Sequence, residues 1–184
     1  MKFETALVRS LDSWASPTEG IMKLLLETGI LFGAAELAEA IGVDLETVKN
    51  WIRRGIISRA PIGGRQLRNR LFSTEEVYKT ALKNELVKLG IPPSPASDAV
   101  NVLWKAWDTK EAPEGRNIYA VVLPSNDKWT VALCSQKISG GPLHKFGKSK
   151  SIEEMDLPKQ AFAVIPISEV LCRASRKLSE LLAR

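Results

Sequence analysis

Residues 34–73 read AAELAEAIGVDLETVKNWIRRGIISRAPIGGRQLRNRLFS, and their pattern decides how the first half of the chain folds. Two short segments of helical apolar spacing, 34–41 and 45–54, flank a turn at 42–44. Gly42 stands where such a turn takes the backbone left-handed. Ala38, four residues earlier, is small enough for one helix to cross close to the other. Leu37, Ile41, Val43, Val48 and Trp51 fill the positions that face inward. The spacing predicts a helix-turn-helix.

With Val48 and Trp51 inward, the second helix turns Glu46, Thr47, Lys49, Asn50 and Arg53 outward. From Lys49 to Arg70 come seven Lys or Arg residues (Lys49, Arg53, Arg54, Arg59, Arg65, Arg68, Arg70) and no Asp or Glu. The whole chain has 26 basic and 21 acidic residues, so the remaining 162 residues hold 19 basic against 21 acidic. The positive excess is therefore local, the footprint of a phosphate-bearing partner. Lys and Arg pair with phosphate or guanine edges, and Asn bonds adenine bidentately.

The loop 58–72 carries Gly63-Gly64 followed by Arg65, Arg68 and Arg70. That composition suits a wing lying along a phosphate backbone or entering a minor groove. Gly63-Gly64 lacks both the GxGxxG spacing and the Gly-Lys-Ser/Thr ending of nucleotide-binding loops. Candidate DNA contacts are thus Thr47, Lys49, Asn50, Arg53, Arg54, Arg65, Arg68 and Arg70.

Outward from this stretch, residues 1–30 read as an N-terminal helical extension that caps the next domain or supports self-association. Residues 31–107 form the first domain. Ser73-Thr74-Glu75-Glu76 predicts a capping box opening a helix at 74–89. Pro92-Pro93-Ser94-Pro95 stops that helix and starts another near Ser94. Residues 108–116 are charged and turn-prone, which suits a linker.

Beyond them, 117–184 reads as a small α/β segment. NIYAVVLP and KWTVALC predict a hairpin around Ser125-Asn126-Asp127, and AFAVIPI predicts a further strand. The terminal helix places Val170, Leu171, Ala174, Leu178, Leu181 and Leu182 on one face, for a dimer seam or for covering the strands. The fold class expected is α+β.

The order of features over 31 to about 103 resembles the MerR-like winged helix-turn-helix domains. AAELAEAIGVDLETVKNWIRRGII is similar to that family's opening helices, RNRLFSTEEV to its wing exit and next helix, and LVKLGIPPSPASDAV to the turn and helix that follow. The resemblance implies DNA contact by Thr47, Lys49, Asn50, Arg53 and Arg70. After it the chain departs: prolines and an α/β segment stand where family regulators carry a long dimerisation helix. Neither metal sensing nor promoter twisting is implied, and Asn69 stands where an aromatic residue commonly precedes the wing arginine.

Composition narrows the alternatives. At 184 residues, 45% hydrophobic and 26% charged, the chain is long enough for one core or two small ones. Cys134, Cys172 and the single His144 are too few and too scattered for a zinc site or a disulfide framework, and both thiols are expected buried and reduced. His144 is expected in a loop. No cofactor is expected, and no paired-carboxylate, Cys-His or Ser-His-Asp set points to an enzyme.

IMKLLLETGILFG is too short and too charged to span a bilayer, so a cytoplasmic protein with no membrane partner is expected. Trp104 and Trp107, at i and i+3, are expected to pack at the domain junction. The reading is a dimeric, sequence-specific regulator of transcription that binds double-stranded DNA. Helix 45–54 enters the major groove and the 58–72 wing lies on the backbone or in the minor groove. Two other readings are an excisionase-like or architectural accessory protein, and a protein-interaction module whose winged domain docks on another protein; the C-terminal segment is a possible contact for a protein partner.

Overall fold

The computed structural model describes residues 25–58, 71–106, 116–125, 128–137, 144–145 and 163–184. Among them, in chain order, lie β1 (Leu31–Phe32), α1 (Ala34–Ile41), α2 (Leu45–Arg53), β2 (Phe72–Ser73), α3 (Thr74–Lys88) and α4 (Pro93–Ala106). There follow β3 (Arg116–Ser125), β4 (Lys128–Lys137), β5 (His144–Lys145), β6 (Ala163–Pro166) and α5 (Ile167–Leu182). Helices with two small antiparallel sheets make the fold α+β, as expected.

The described residues divide into two compact units. One holds residues up to Ala81 together with Leu171–Arg184; the other lies within Leu82–Val170. The division falls inside α3 and α5. Of the linker expected at 108–116, only Arg116 is described, and it is the first residue of β3 instead of linker; the N-terminal extension up to residue 24 lies outside the described residues.

In the first unit, α1 starts where the Glu36 carboxylate accepts the Gly33 N–H, one of the amides a helix start leaves free. It buries Leu37, Ala38, Ala40 and Ile41. Gly42 ends it at φ 69°, ψ 40°. The Gly42 N–H donates to the Glu39 carbonyl at 3.3 Å and the Val43 N–H to that of Ala38 at 3.1 Å, a Schellman closure. A Cβ at Gly42 would meet nothing within 4 Å, so the glycine is required by its dihedral angles and not by space. Val43 is half-buried rather than interior.

β1 pairs antiparallel with β2, Phe32 opposite Phe72, and both rings are buried. α3 opens as a capped helix: the Glu76 N–H donates to Ser73 Oγ at 3.2 Å. Thr74, itself buried, ties this start to the preceding chain by donating to the Leu25 carbonyl at 3.0 Å.

The end of α5 completes this unit. Leu171, Ala174, Ser175 and Leu178 are buried, in agreement with the expected apolar face, while Leu182 is exposed. The Tyr78 and Ser175 hydroxyls, both buried, share a hydrogen bond of 2.8 Å. Removal from water pushes the Tyr78 phenol up to about 12, an effect its bond to Ser175 partly offsets. Arg184 pairs with Glu39 of α1 at 2.8 Å. From Leu171 onward the last helix thus belongs with the helices of the first unit, while its first turn stays with the strands.

In the second unit the sheet order is β5-β4-β3-β6, every neighbour antiparallel. β3 and β4 pair along their length to Ser125 opposite Lys128, the hairpin expected there. Ile118, Ala120, Val121, Val122, Leu133, Cys134 and Ile165 of the sheet are buried, and α4 lies against β4 with Ala96, Ala99, Val100 and Leu103 buried. The Ile118 N–H donates to Ser168 Oγ at 2.9 Å, which joins β3 to the first turn of α5.

Two expectations are corrected. His144 sits in a strand, opposite Ser135, because its ladder with β4 supplies backbone partners that a two-residue run does not advertise. Cys134 is buried but Cys172 only half-buried, since it lies beside Leu171 at the margin of the helix's inner face; neither forms a disulfide. Trp104 is half-buried, and Trp107 lies outside the described residues.

Candidate nucleic-acid interface

α2 is held by its ends and its inner face. Asp44 is the N-cap: its carboxylate accepts the Thr47 N–H at 2.7 Å and the Thr47 hydroxyl at 2.6 Å. Those bonds, the hydroxyl's foremost, hold the Asp44 carboxyl below the usual carboxylate range. At the other end Gly55, at φ 70°, takes the chain out of the helix, and the Ile56 N–H closes on the Trp51 carbonyl at 2.9 Å. Val48, Trp51 and Ile52 are buried and α2 lies against α1. Burial of such side chains contributes about 1.5–3 kcal/mol each, which fixes which face of α2 meets solvent.

That outer face carries Glu46, Lys49, Asn50, Arg53 and Arg54, all exposed. Thr47 is half-buried and its hydroxyl proton serves the cap, so it supports the helix start and offers a ligand acceptor lone pairs but no donor. The exposed side chains form one network. Glu46 Oε1 accepts from Arg53 at 2.6 Å and Oε2 lies 3.5 Å from Lys49 Nζ. Arg53 also donates to Asn50 Oδ1 at 3.0 Å. The structure therefore brings Lys49, Asn50 and Arg53 together, as their spacing implied, and adds a carboxylate between them.

Glu46 is the residue that charge counting passed over. The acid-free run begins at Lys49, three residues after it, yet one turn of helix puts Glu46 beside Lys49 and two turns put it beside Arg53. A count taken around the helix face, instead of along the chain, contains the signal.

Arg65, Arg68 and Arg70 lie outside the described residues, but both ends of their loop are held at the start of α3. At the entry, the Ser58 N–H donates to Glu76 Oε1 at 3.3 Å. At the exit, β2 is fixed by its ladder to β1 and by the Ser73 cap. The expected capping box is thus met on the Ser73 side, while the Glu76 carboxylate holds the loop entry. α2 leads directly to Ser58, so the basic helix face and both of these flanks belong to one unit.

Among the described residues no cluster of three or more His, Cys, Asp and Glu side chains is arranged to hold a metal. No described helix is long and apolar enough to cross a membrane. Neither a family model nor a curated protein matches the chain.

Proposed function

We propose that this protein binds double-stranded DNA sequence-specifically and regulates transcription, through a winged helix-turn-helix of the MerR-like kind. α2 enters the major groove with Lys49, Asn50 and Arg53 toward base edges and Arg54 toward phosphate. The loop after it follows the backbone or the minor groove with Arg65, Arg68 and Arg70. One observation carries the reading: a capped helix with a buried inner face presents Lys49, Asn50, Arg53 and Arg54 together on its exposed side, directly before an arginine-rich stretch of sequence whose flanks, Ser58 and β2, are both held. Basic and amide side chains on a rigid helix are what base-edge and phosphate recognition needs.

The regulator acts as a homodimer on paired half-sites in this proposal. Burial of Leu171, Ala174, Ser175 and Leu178 within the single chain supports a seam other than the inner face of α5. The test is the salt dependence of duplex binding by wild type and by Lys49→Ala/Arg53→Ala/Arg70→Ala. Each phosphate-neutralising cation contributes about 0.9 to the slope of log K against log salt, so loss of Arg70 flattens the variant's slope by about 0.9, and loss of the base-directed Lys49 and Arg53 lowers its affinity. Equal affinity and equal slope in the two proteins would sink the reading.

A further inference from the structure

Glu46 is out of place on a surface that meets DNA. It faces the same side as Lys49 and Arg53 and holds both, so the patch these three make has a net charge of one rather than two. A carboxylate brought into a groove meets phosphates and acceptor-rich base edges, and it loses water as it does so. Unless a donor replaces that water, the step is costly.

The network has room for such a donor. A carboxylate accepts at about four lone-pair positions, and Glu46 uses one on each oxygen. A guanidinium has five N–H donors; Arg53 spends one on Glu46 and one on Asn50. The pair can therefore take further partners without coming apart. In the major groove the donors are cytosine N4–H2 and adenine N6–H2. Adenine carries its N7 acceptor next to N6, which repels a carboxylate, whereas cytosine has no acceptor beside N4 on that edge. Opposite cytosine stands guanine, whose O6 and N7 accept from arginine.

Resting on the DNA-binding reading, we propose that Glu46 and Arg53 read one C·G base pair as a unit: Glu46 accepts from cytosine N4 while Arg53 donates to guanine O6 or N7. Glu46 is then a specificity-determining residue. It penalises sites where no cytosine meets it, and it holds the Arg53 fork at a fixed place along α2. Asn50, bonded to Arg53 through Oδ1, keeps one Oδ1 lone pair and its amide donors for a neighbouring adenine.

Selection from a random duplex library with wild type and with Glu46→Gln tests this. Glu46 is more than half exposed, so the glutamine does not disturb the core. Wild type should enrich a motif with a fixed C·G pair in each half-site and lose about tenfold in affinity when that pair is changed. Glu46→Gln should bind random duplex more tightly, lose selection at that one pair and retain it elsewhere. A wild-type motif without a fixed C·G pair, or an E46Q motif identical to wild type, overturns the inference and leaves DNA binding standing. No retention of duplex by wild type overturns both.

Discussion

Replacing Tyr78 by Phe removes one oxygen from a closed site and so tests how the last helix is held. The Tyr78 and Ser175 hydroxyls are 0% and 1% exposed and lie 2.8 Å apart. Tyr78→Phe deletes their bond and leaves the Ser175 hydroxyl buried without it, at a cost of about 1–3 kcal/mol. Ser175→Ala leaves the phenol in the same position, at a similar cost. The double variant removes both hydroxyls and strands neither, so it should be more stable than the sum of the single losses predicts, by about 1 kcal/mol.

Urea unfolding followed by tryptophan fluorescence reads this directly. With a slope of about 2 kcal/mol per molar, each single variant shifts its midpoint by roughly 0.5–1.5 M. Alkali supplies an independent arm. The folded phenol is pushed up to about 12 from an ordinary 10, so the unfolded chain releases its proton first as pH rises. Between those values the folded state binds more protons, and stability falls with increasing pH. The contribution is fully present below about pH 10 and is lost as pH passes 12, at most about 3 kcal/mol. Tyr78→Phe should abolish that part of the decline. Midpoints unchanged in Y78F, with strict additivity in the double variant, would refute the docking of α5 against α3 through this bond.

Further outcomes follow from single positions. Gly42→Ala places a Cβ at φ 69° and should cost about 1–2 kcal/mol in thermal unfolding; no loss would mean that the turn is not left-handed. Asp44→Ala should lower helix content and weaken duplex binding, because α2 loses its cap. The Asp44 carboxyl titrates lower in the folded chain, so its stabilisation is present above the ordinary carboxylate range and fades as pH falls through the folded value. An acid-unfolding curve that is the same with alanine there would contradict that linkage. Arg184→Ala breaks a solvent-exposed ion pair and should change stability by less than about 1 kcal/mol, which differential scanning calorimetry would show.

Local chemistry made the first unit legible. Gly42, the Ser73 cap and the inward positions of Leu37, Val48 and Trp51 act over one or two turns, and a linear reading sees that range. The hairpin was legible for the same reason: two β-rich runs with a turn between them have few alternatives. The position of α5 was not. Its apolar face shows that the helix packs, but Tyr78 and Ser175 are distant in the chain, and either hydroxyl alone reads as an ordinary surface group. Helical spacing put Glu46 on the outer face with Lys49 and Arg53, but its pairing with both was not legible, because a charge count along the chain starts after it and a helix folds separate charges together. The arginine loop stayed a matter of composition, with Ser58, Glu76 and the β1–β2 ladder now marking where it begins and ends.

The central claim is that the exposed face of α2 meets duplex DNA. Its most direct measurement is the selection of fragments from sheared genomic DNA by the full chain, with Lys49→Ala/Arg53→Ala/Arg70→Ala in parallel, read by sequencing. Wild type should enrich a compact motif, its half-sites spaced by about one helical turn, and the variant should not. Equal enrichment by both proteins, or none by correctly folded wild type at low salt, would contradict that claim.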